Sequence, residues 1–113
     1  MHEMAIAKEI QDIVLEKLKE HGKRKVTRVG LIFGELTSVV PEALETAFSI
    51  ASEGTAMQGA KIKCTIKKLK ARCRKCGKVF RVKDFDYICP KCGTSRVEII
   101  QGREMLVKSI SME

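Results

Sequence analysis

The chain has 113 residues, of which 44% are hydrophobic and 32% charged, and its formal net charge is +8. This length suits one domain, or a small domain with an added module, and excludes a TIM barrel or a two-domain enzyme. The ordinary apolar content argues against wholesale disorder. No apolar run approaches the roughly 18 residues that span a bilayer, and no signal peptide is evident. We therefore expect a cytoplasmic protein without membrane contact.

The positive charge is concentrated in the second half of the chain. Residues 1–60 carry seven Lys and Arg against nine Asp and Glu, whereas residues 61–113 carry fifteen against five. Such asymmetry can mark a nucleic-acid surface. However, the chain has one Tyr and no Trp, so aromatic rings for stacking on single strands are scarce. We favour the interpretation that these cations offset the negative charge of thiolates around a metal ion, or that they form a surface for an acidic protein partner.

The first half of the chain alternates between helical and extended patterns. Apolar residues at three- and four-residue steps predict a helix over residues 3–21, followed by Gly22 in a left-handed conformation. Residues 26–33 predict a strand, and Pro41 predicts the first turn of a second helix. The apolar residues of the first helix are Ile6, Ile10, Ile13, Val14 and Leu18.

The second half predicts further strands. Residues 61–68 alternate between lysines and apolar residues, which places Cys64 on the apolar face as a buried structural thiol. Residues 97–101 and 105–112 also predict strands. Because Gly102 and Arg103 separate them, we expect these two strands to form a hairpin.

Between these strands lie two copies of one cysteine motif. Each Cys-x-x-Cys-Gly segment can place two thiolates on a tight turn, and twelve residues separate the two pairs. Four thiolates predict a closed, structural Zn²⁺ site, with a rubredoxin-type iron site and a thiol redox pair as alternatives. The predicted ligands are Cys73, Cys76, Cys89 and Cys92. The predicted core of this module consists of Phe80, Phe85 and Tyr87.

The N-terminus offers a second set of metal ligands. The α-amine of Met1, the backbone nitrogen of residue 2 and the His2 imidazole can close two fused chelate rings around one ion. This nitrogen set suits Ni²⁺ or Cu²⁺ in a planar or tetragonal geometry. Glu3 adds a carboxylate, which can bind the ion directly or accept a hydrogen bond from one of its ligands. The other histidine, His21, is expected to interact with the dipole at the helix C-terminus.

These features together resemble a known family. Met1-His2-Glu3 opens an amphipathic helix, a Gly34-Glu35-Leu36 turn follows a strand, and paired Cys-x-x-Cys motifs come late in the chain. With the ending over residues 101–110, the sequence resembles the HypA/HybF family over essentially its whole length. Members of that family insert nickel during maturation of nickel–iron hydrogenases.

The resemblance carries specific expectations. It implies that the N-terminal amine and His2 bind nickel with help from Glu3, and that the four cysteines hold zinc. It also implies the GTPase HypB and the hydrogenase large subunit as partners, and some members also serve urease. In some members an acidic residue after the Gly-Glu turn helps to bind nickel. Here Glu42 is the nearest candidate, and Val40 lies near the expected position.

The combined prediction is an α/β fold with two helices on a small three-stranded sheet and a projecting zinc ribbon. The predicted sheet contains residues 26–33, 61–69 and 105–112. Residues 1–70 plus 104–113 would form the nickel-binding α/β domain, and residues 71–103 the zinc-ribbon domain. The resemblance implies a nickel metallochaperone. Because the chain shows no nucleophile–base constellation and no phosphate-binding loop, we expect no enzyme. The alternative is a basic zinc ribbon that binds nucleic acid, and the sequence leaves a homo-oligomer open.

Overall fold

The computed structural model describes residues 2–113, so Met1 lies outside the described residues. The molecule is elongated, with principal extents of 55 × 25 × 16 Å. Within residues 2–113, no helix combines the length and apolar character needed to cross a membrane. The elements are α1 (Glu3–Glu20), β1 (Val26–Gly34), a 3₁₀ turn (Glu35–Thr37), α2 (Pro41–Ser52), β2 (Lys61–Lys67), β3 (Lys70–Cys73), β4 (Val79–Arg81), β5 (Val97–Gln101) and β6 (Met105–Met112).

The larger sheet has the strand order β2-β1-β6, with β1 parallel to β2 and antiparallel to β6. Because β1 is central, its inward side chains are fully covered: Val26, Val29 and Phe33 are 0% exposed. One hydrophobic core joins these residues to the apolar faces of α1 and α2. The predicted α/β arrangement of two helices on a three-stranded sheet is therefore confirmed.

The ends of both helices follow the expected chemistry. Gly22 has φ +63 just after α1, and Pro41 occupies the first turn of α2 with Glu42 behind it. One apolar residue of α1 was assigned wrongly, because Ile13 is 44% exposed. Its neighbour Val14 is 0% exposed and lies at the centre of the buried face, so Ile13 is rotated about 100° away from that face.

The smaller sheet has the order β4-β3-β5, and all of its strand pairs are antiparallel. Its buried residues are Leu69, Ala71 and Val82, and Phe80 and Tyr87 pack against them. The third aromatic residue predicted for this core is not in it. Phe85 is 76% exposed, because it lies with Asp84 at the tip of a tight turn, where both residues have positive φ.

The predicted hairpin between residues 97–101 and 105–112 is wrong. β5 pairs with β3 in the smaller sheet, whereas β6 pairs with β1 in the larger one. Gly102, at φ +123, turns the chain from one sheet to the other, and its carbonyl accepts a 2.9 Å hydrogen bond from the Leu36 amide. A two-residue turn cannot be distinguished from such a crossover when both flanking segments have strand-like sequences.

Two chain segments join the sheets, and Glu35, which follows β1 of the larger sheet, contacts two residues on the side of the smaller sheet. Its Oε1 accepts a 2.9 Å hydrogen bond from the amide of Leu69, just before β3. Its Oε2 lies 3.5 Å from Nη2 of Arg81, at the end of β4. The Leu69 hydrogen bond, with help from the charge of Arg81, lowers the pKa of Glu35. The carboxylate therefore connects the larger sheet to the smaller one as an anion.

Candidate metal centre

The two cysteine motifs fold into turns with the same hydrogen-bond pattern. In the first, the Gly77 amide donates to the Cys73 carbonyl and the Cys73 amide donates to Lys78, both at 2.9 Å. In the second, Gly93 donates to Cys89 and Cys89 donates to Thr94 at the same distance. Both glycines have positive φ, +79 for Gly77 and +73 for Gly93, a conformation that glycine adopts without steric cost.

These turns bring the four thiol groups together. All four Sγ atoms lie within 4.8 Å of one another. Two contacts cross between the motifs: Cys73 Sγ is 3.4 Å from Cys92 Sγ, and Cys76 Sγ is 3.6 Å from Cys89 Sγ. Sulfurs at the corners of a tetrahedron around Zn²⁺, with Zn–S near 2.3 Å, are about 3.8 Å apart. The cluster thus has the size of a four-coordinate metal site.

Local hydrogen bonds prepare some of these thiols for metal binding. The backbone amide of Cys76, 3.4 Å from the sulfur, lowers the pKa of Cys73 to about 6. In the equivalent position, the Cys92 amide lowers the pKa of Cys89. The Thr94 amide acts to lower the pKa of Cys92, but the neighbouring thiols, Cys73 first, outweigh it and raise that pKa to about 11. A divalent metal ion binds thiolates, so it has to displace the protons that these thiols still carry.

Burial separates the cluster into an inner and an outer half. Cys73 and Cys89 are each 1% exposed, whereas Cys76 and Cys92 are exposed. A metal there would contact the core of the smaller sheet on one side and solvent on the other. The fifth cysteine, Cys64, is half-buried on β2 and is not a member of the cluster. Its partial burial raises the pKa of the Cys64 thiol.

The N-terminal ligand candidates lie at the start of α1. His2 is exposed and precedes the first helical residue, and its carbonyl accepts a 3.2 Å hydrogen bond from the Ile6 amide. Glu3 is half-buried in the first turn, and Met1 is outside the described residues. Of the candidates after the Gly-Glu turn, Val40 is 50% exposed and Glu42 is exposed in the first turn of α2. Within residues 2–113, the four cysteines alone bring three or more potential ligands within reach of one ion.

One structural contribution was not assigned from the sequence. The Gly34-Glu35-Leu36 turn carried part of the family resemblance, yet no role was inferred for Glu35. In the structure its carboxylate links the turn after β1 to the smaller sheet. A charged residue directly after a buried strand is a weak signal, because its partners Leu69 and Arg81 are more than thirty residues away.

Comparison with known proteins identifies the family. Residues 1–112 match a family described as hydrogenase/urease nickel incorporation, metallochaperone, HypA. The chain belongs to the HypA family. A hydrogenase maturation factor HypA from Prosthecochloris aestuarii is 36% identical, with 100% of each chain covered. The HypA of Aquifex aeolicus is 34% identical over all of this chain and 98% of its own.

Solved HypA structures have the same fold. A solution structure of a HypA protein matches 100% of this chain and 97% of its own with a TM-score of 0.75, at 28% identity. The nickel metallochaperone HypA of Helicobacter pylori covers 99% of this chain and 97% of its own with a TM-score of 0.67, at 27% identity. Both the fold class and the family expected from the sequence are therefore confirmed.

Proposed function

We propose that this chain is a cytoplasmic nickel carrier that binds Ni²⁺ at its N-terminus and releases it during hydrogenase maturation. The observation that carries the proposal is the match of residues 1–112 to the nickel-incorporation family. The position of His2 supports it, since this imidazole is exposed at the start of α1. An exposed chain terminus can exchange its cargo more readily than a closed site can.

The proposed nickel ligands are the α-amine of Met1, the backbone nitrogen and imidazole of His2, and Glu3. Nitrogen ligands that form fused chelate rings favour Ni²⁺ over Zn²⁺ because they suit a planar geometry. Nickel has to displace protons from these groups, so acidification should weaken binding and promote release. The chain's contribution is to hold and transfer the ion, and we propose no catalytic step.

We propose a division of work between the two sheets. Residues 1–70 with 104–113 form the nickel-binding domain, and residues 71–103 form a zinc-ribbon domain. In the latter, Zn²⁺ is bound by Cys73, Cys76, Cys89 and Cys92 as a permanent structural ion. The four thiolates support zinc because such sets form closed structural sites. The GTPase HypB and the hydrogenase large subunit are the proposed partners.

The nickel proposal predicts the effect of removing one imidazole. We expect a His2→Ala variant of the zinc-loaded protein to bind Ni²⁺ at least about 100-fold more weakly. Loss of a residue that hydrogen-bonds to a metal ligand lowers metal affinity about 10- to 100-fold, and loss of the ligand itself should cost more. Calorimetric titration measures this. The matched control is His21→Ala, because the chain has only these two histidines and the exposed His21 ring hydrogen-bonds to the Lys17 carbonyl of its own helix. Equal nickel affinity in His2→Ala and the wild type would contradict the proposal.

A further inference from the structure

One face of the larger sheet is open to solvent and strongly basic. The pairing register places Arg28 beside Lys61, Gly30 beside Lys63, and Gly34 beside Lys67. Gly34, at the end of β1, is itself buried against the backbone of Gly102. Arg28, Gly30 and the lysines of β2 alternate with the buried residues that face the helices, so they lie on the opposite side of the sheet. We call this side the open face. Its exposed cations are Arg28, Lys61, Lys63 and Lys67.

The charge of the open face is not balanced locally. The three strands of the larger sheet contain no Asp or Glu. The nearest carboxylates in sequence are Glu35 after β1 and Glu104 and Glu113 on either side of β6. Glu35 is occupied by Leu69 and Arg81, and Glu104 accepts a hydrogen bond from the Gly102 amide. Within residues 2–113, no ion pair involves any cation of the open face, whereas Arg72 and Arg81 of the smaller sheet each pair with a glutamate.

This arrangement has a cost in the isolated protein. Like charges directly opposite each other on neighbouring strands destabilise a sheet, and Arg28 and Lys61 are paired in this way. The charge also cannot be attributed to the cysteine cluster, because the open face belongs to the other sheet. An anionic partner on the open face would remove the repulsion.

We propose that the open face is a docking surface for an acidic, extended segment of a partner protein that lies along β2. Same-face residues of a strand are about 6.6 Å apart, and an extended segment with carboxylates at every second residue has the same repeat. Such a segment can place carboxylates against Lys61, Lys63 and Lys67. β2 is an edge strand, so its outer side is open to an approaching chain.

The other residues of the open face favour protein over nucleic acid. Within residues 2–113, no aromatic side chain lies on this face to stack on bases. Phe33 and Phe48 are buried, Phe80 and Tyr87 pack on the core of the smaller sheet, and Phe85 lies in the turn after β4. Small polar residues, Ser109 and Ser111, lie opposite Gly30 and Arg28, and Leu106 is 45% exposed. A second copy of this chain placed face to face would bring cation against cation. The docking surface is independent of the nickel ligands.

The test uses a fluorescent ten-residue peptide of alternating Glu and Thr and the full zinc-loaded chain at low salt. We expect a Lys61→Glu/Lys63→Glu/Lys67→Glu variant to bind the peptide about tenfold more weakly than the wild type, as three exposed ion pairs would give. The matched control is Lys8→Glu/Lys19→Glu/Lys23→Glu, which makes the same change in net charge at exposed positions of α1 and the following loop. This control should bind the peptide nearly as tightly as the wild type does. Any small loss of affinity in the control measures the effect of the lower net charge, which both triple variants share.

Two further measurements make the test decisive. Amide chemical shifts of labelled protein should move in β1 and β2 on peptide addition; movement confined to the smaller sheet would overturn the proposal. A ten-nucleotide single-stranded DNA and vesicles of anionic lipid are the competing probes. If the DNA or the vesicles bind more tightly than the peptide, and the triple variant of β2 loses this binding, the surface belongs to that ligand instead. Nickel titration of the β2 variant should match the wild type, which separates this result from a failure of the nickel proposal.

Discussion

A Cys73→Ser variant is expected to lose its zinc and the folded smaller sheet together. The core of that sheet contains only three buried residues besides the cysteines, which is too little apolar area to stabilise it alone. Structural zinc contributes an apparent 10–16 kcal/mol in zinc-finger peptides, far more than this core can replace. Atomic absorption should show zinc falling from one ion per chain to nearly none. Amide spectra should show loss of dispersed signals from β3, β4 and β5.

The larger sheet should survive in the same variant, because its core is separate from the cysteine cluster. Cys64→Ser is the matched control, since Cys64 lies on β2 outside the cluster. It should keep one zinc per chain and the signals of both sheets. Full zinc content and an intact smaller sheet in Cys73→Ser would show that the four cysteines are not the zinc site.

The second large effect is expected from Gly34→Ala at the junction of the sheets. A Cβ on Gly34 would overlap the carbonyl of Gly102 and the amide of Arg103. Both are backbone groups, and Gly102 is held by hydrogen bonds from Leu36 and to Glu104. Because neither can move aside alone, we expect a loss of at least about 3 kcal/mol in the free energy of unfolding, at the upper end for overpacked sites. Urea denaturation measures this loss.

Gly30→Ala is the matched control for this substitution, because both glycines lie in β1 and neither has a positive φ. A Cβ on Gly30 would meet the Ser109 hydroxyl at 2.6 Å. That hydroxyl ends an exposed side chain that can rotate to another rotamer, so the expected loss is less than about 1 kcal/mol. Equal losses of unfolding free energy in the two variants would show that the backbone at the junction moves readily and does not hold the two sheets rigidly together.

Local patterns in the sequence predicted most of the fold. The helices, the strands of the larger sheet and the two cysteine motifs depend on spacing over a few residues, which a sequence displays directly. The errors concern distant contacts. Residues 97–112 were expected to form a hairpin because nothing in a Gly-Arg turn shows that β5 pairs with β3. Phe85 was expected in the core because its side chain is hydrophobic, and nothing in the local sequence shows that its backbone adopts a left-handed turn conformation.

The candidate site divides in the same way. The cysteine cluster follows from two short motifs, and the structure brings together all four predicted ligands. The structural role of Glu35 depends on partners at positions 69 and 81, and only the folded chain reveals them. The proposed nickel site includes an α-amine, a group that every chain carries, so the sequence indicates such a site only when a histidine follows directly.

The most direct test of the nickel site is a titration of zinc-loaded protein with a native N-terminus against a variant carrying a four-residue Gly-Ser leader. The leader keeps every side chain but moves the free amine away from His2. We predict that the native protein binds about one Ni²⁺ and that the leader variant loses at least about 100-fold in affinity, as expected when a chelate is broken. Equal nickel binding by both proteins would contradict an N-terminal site.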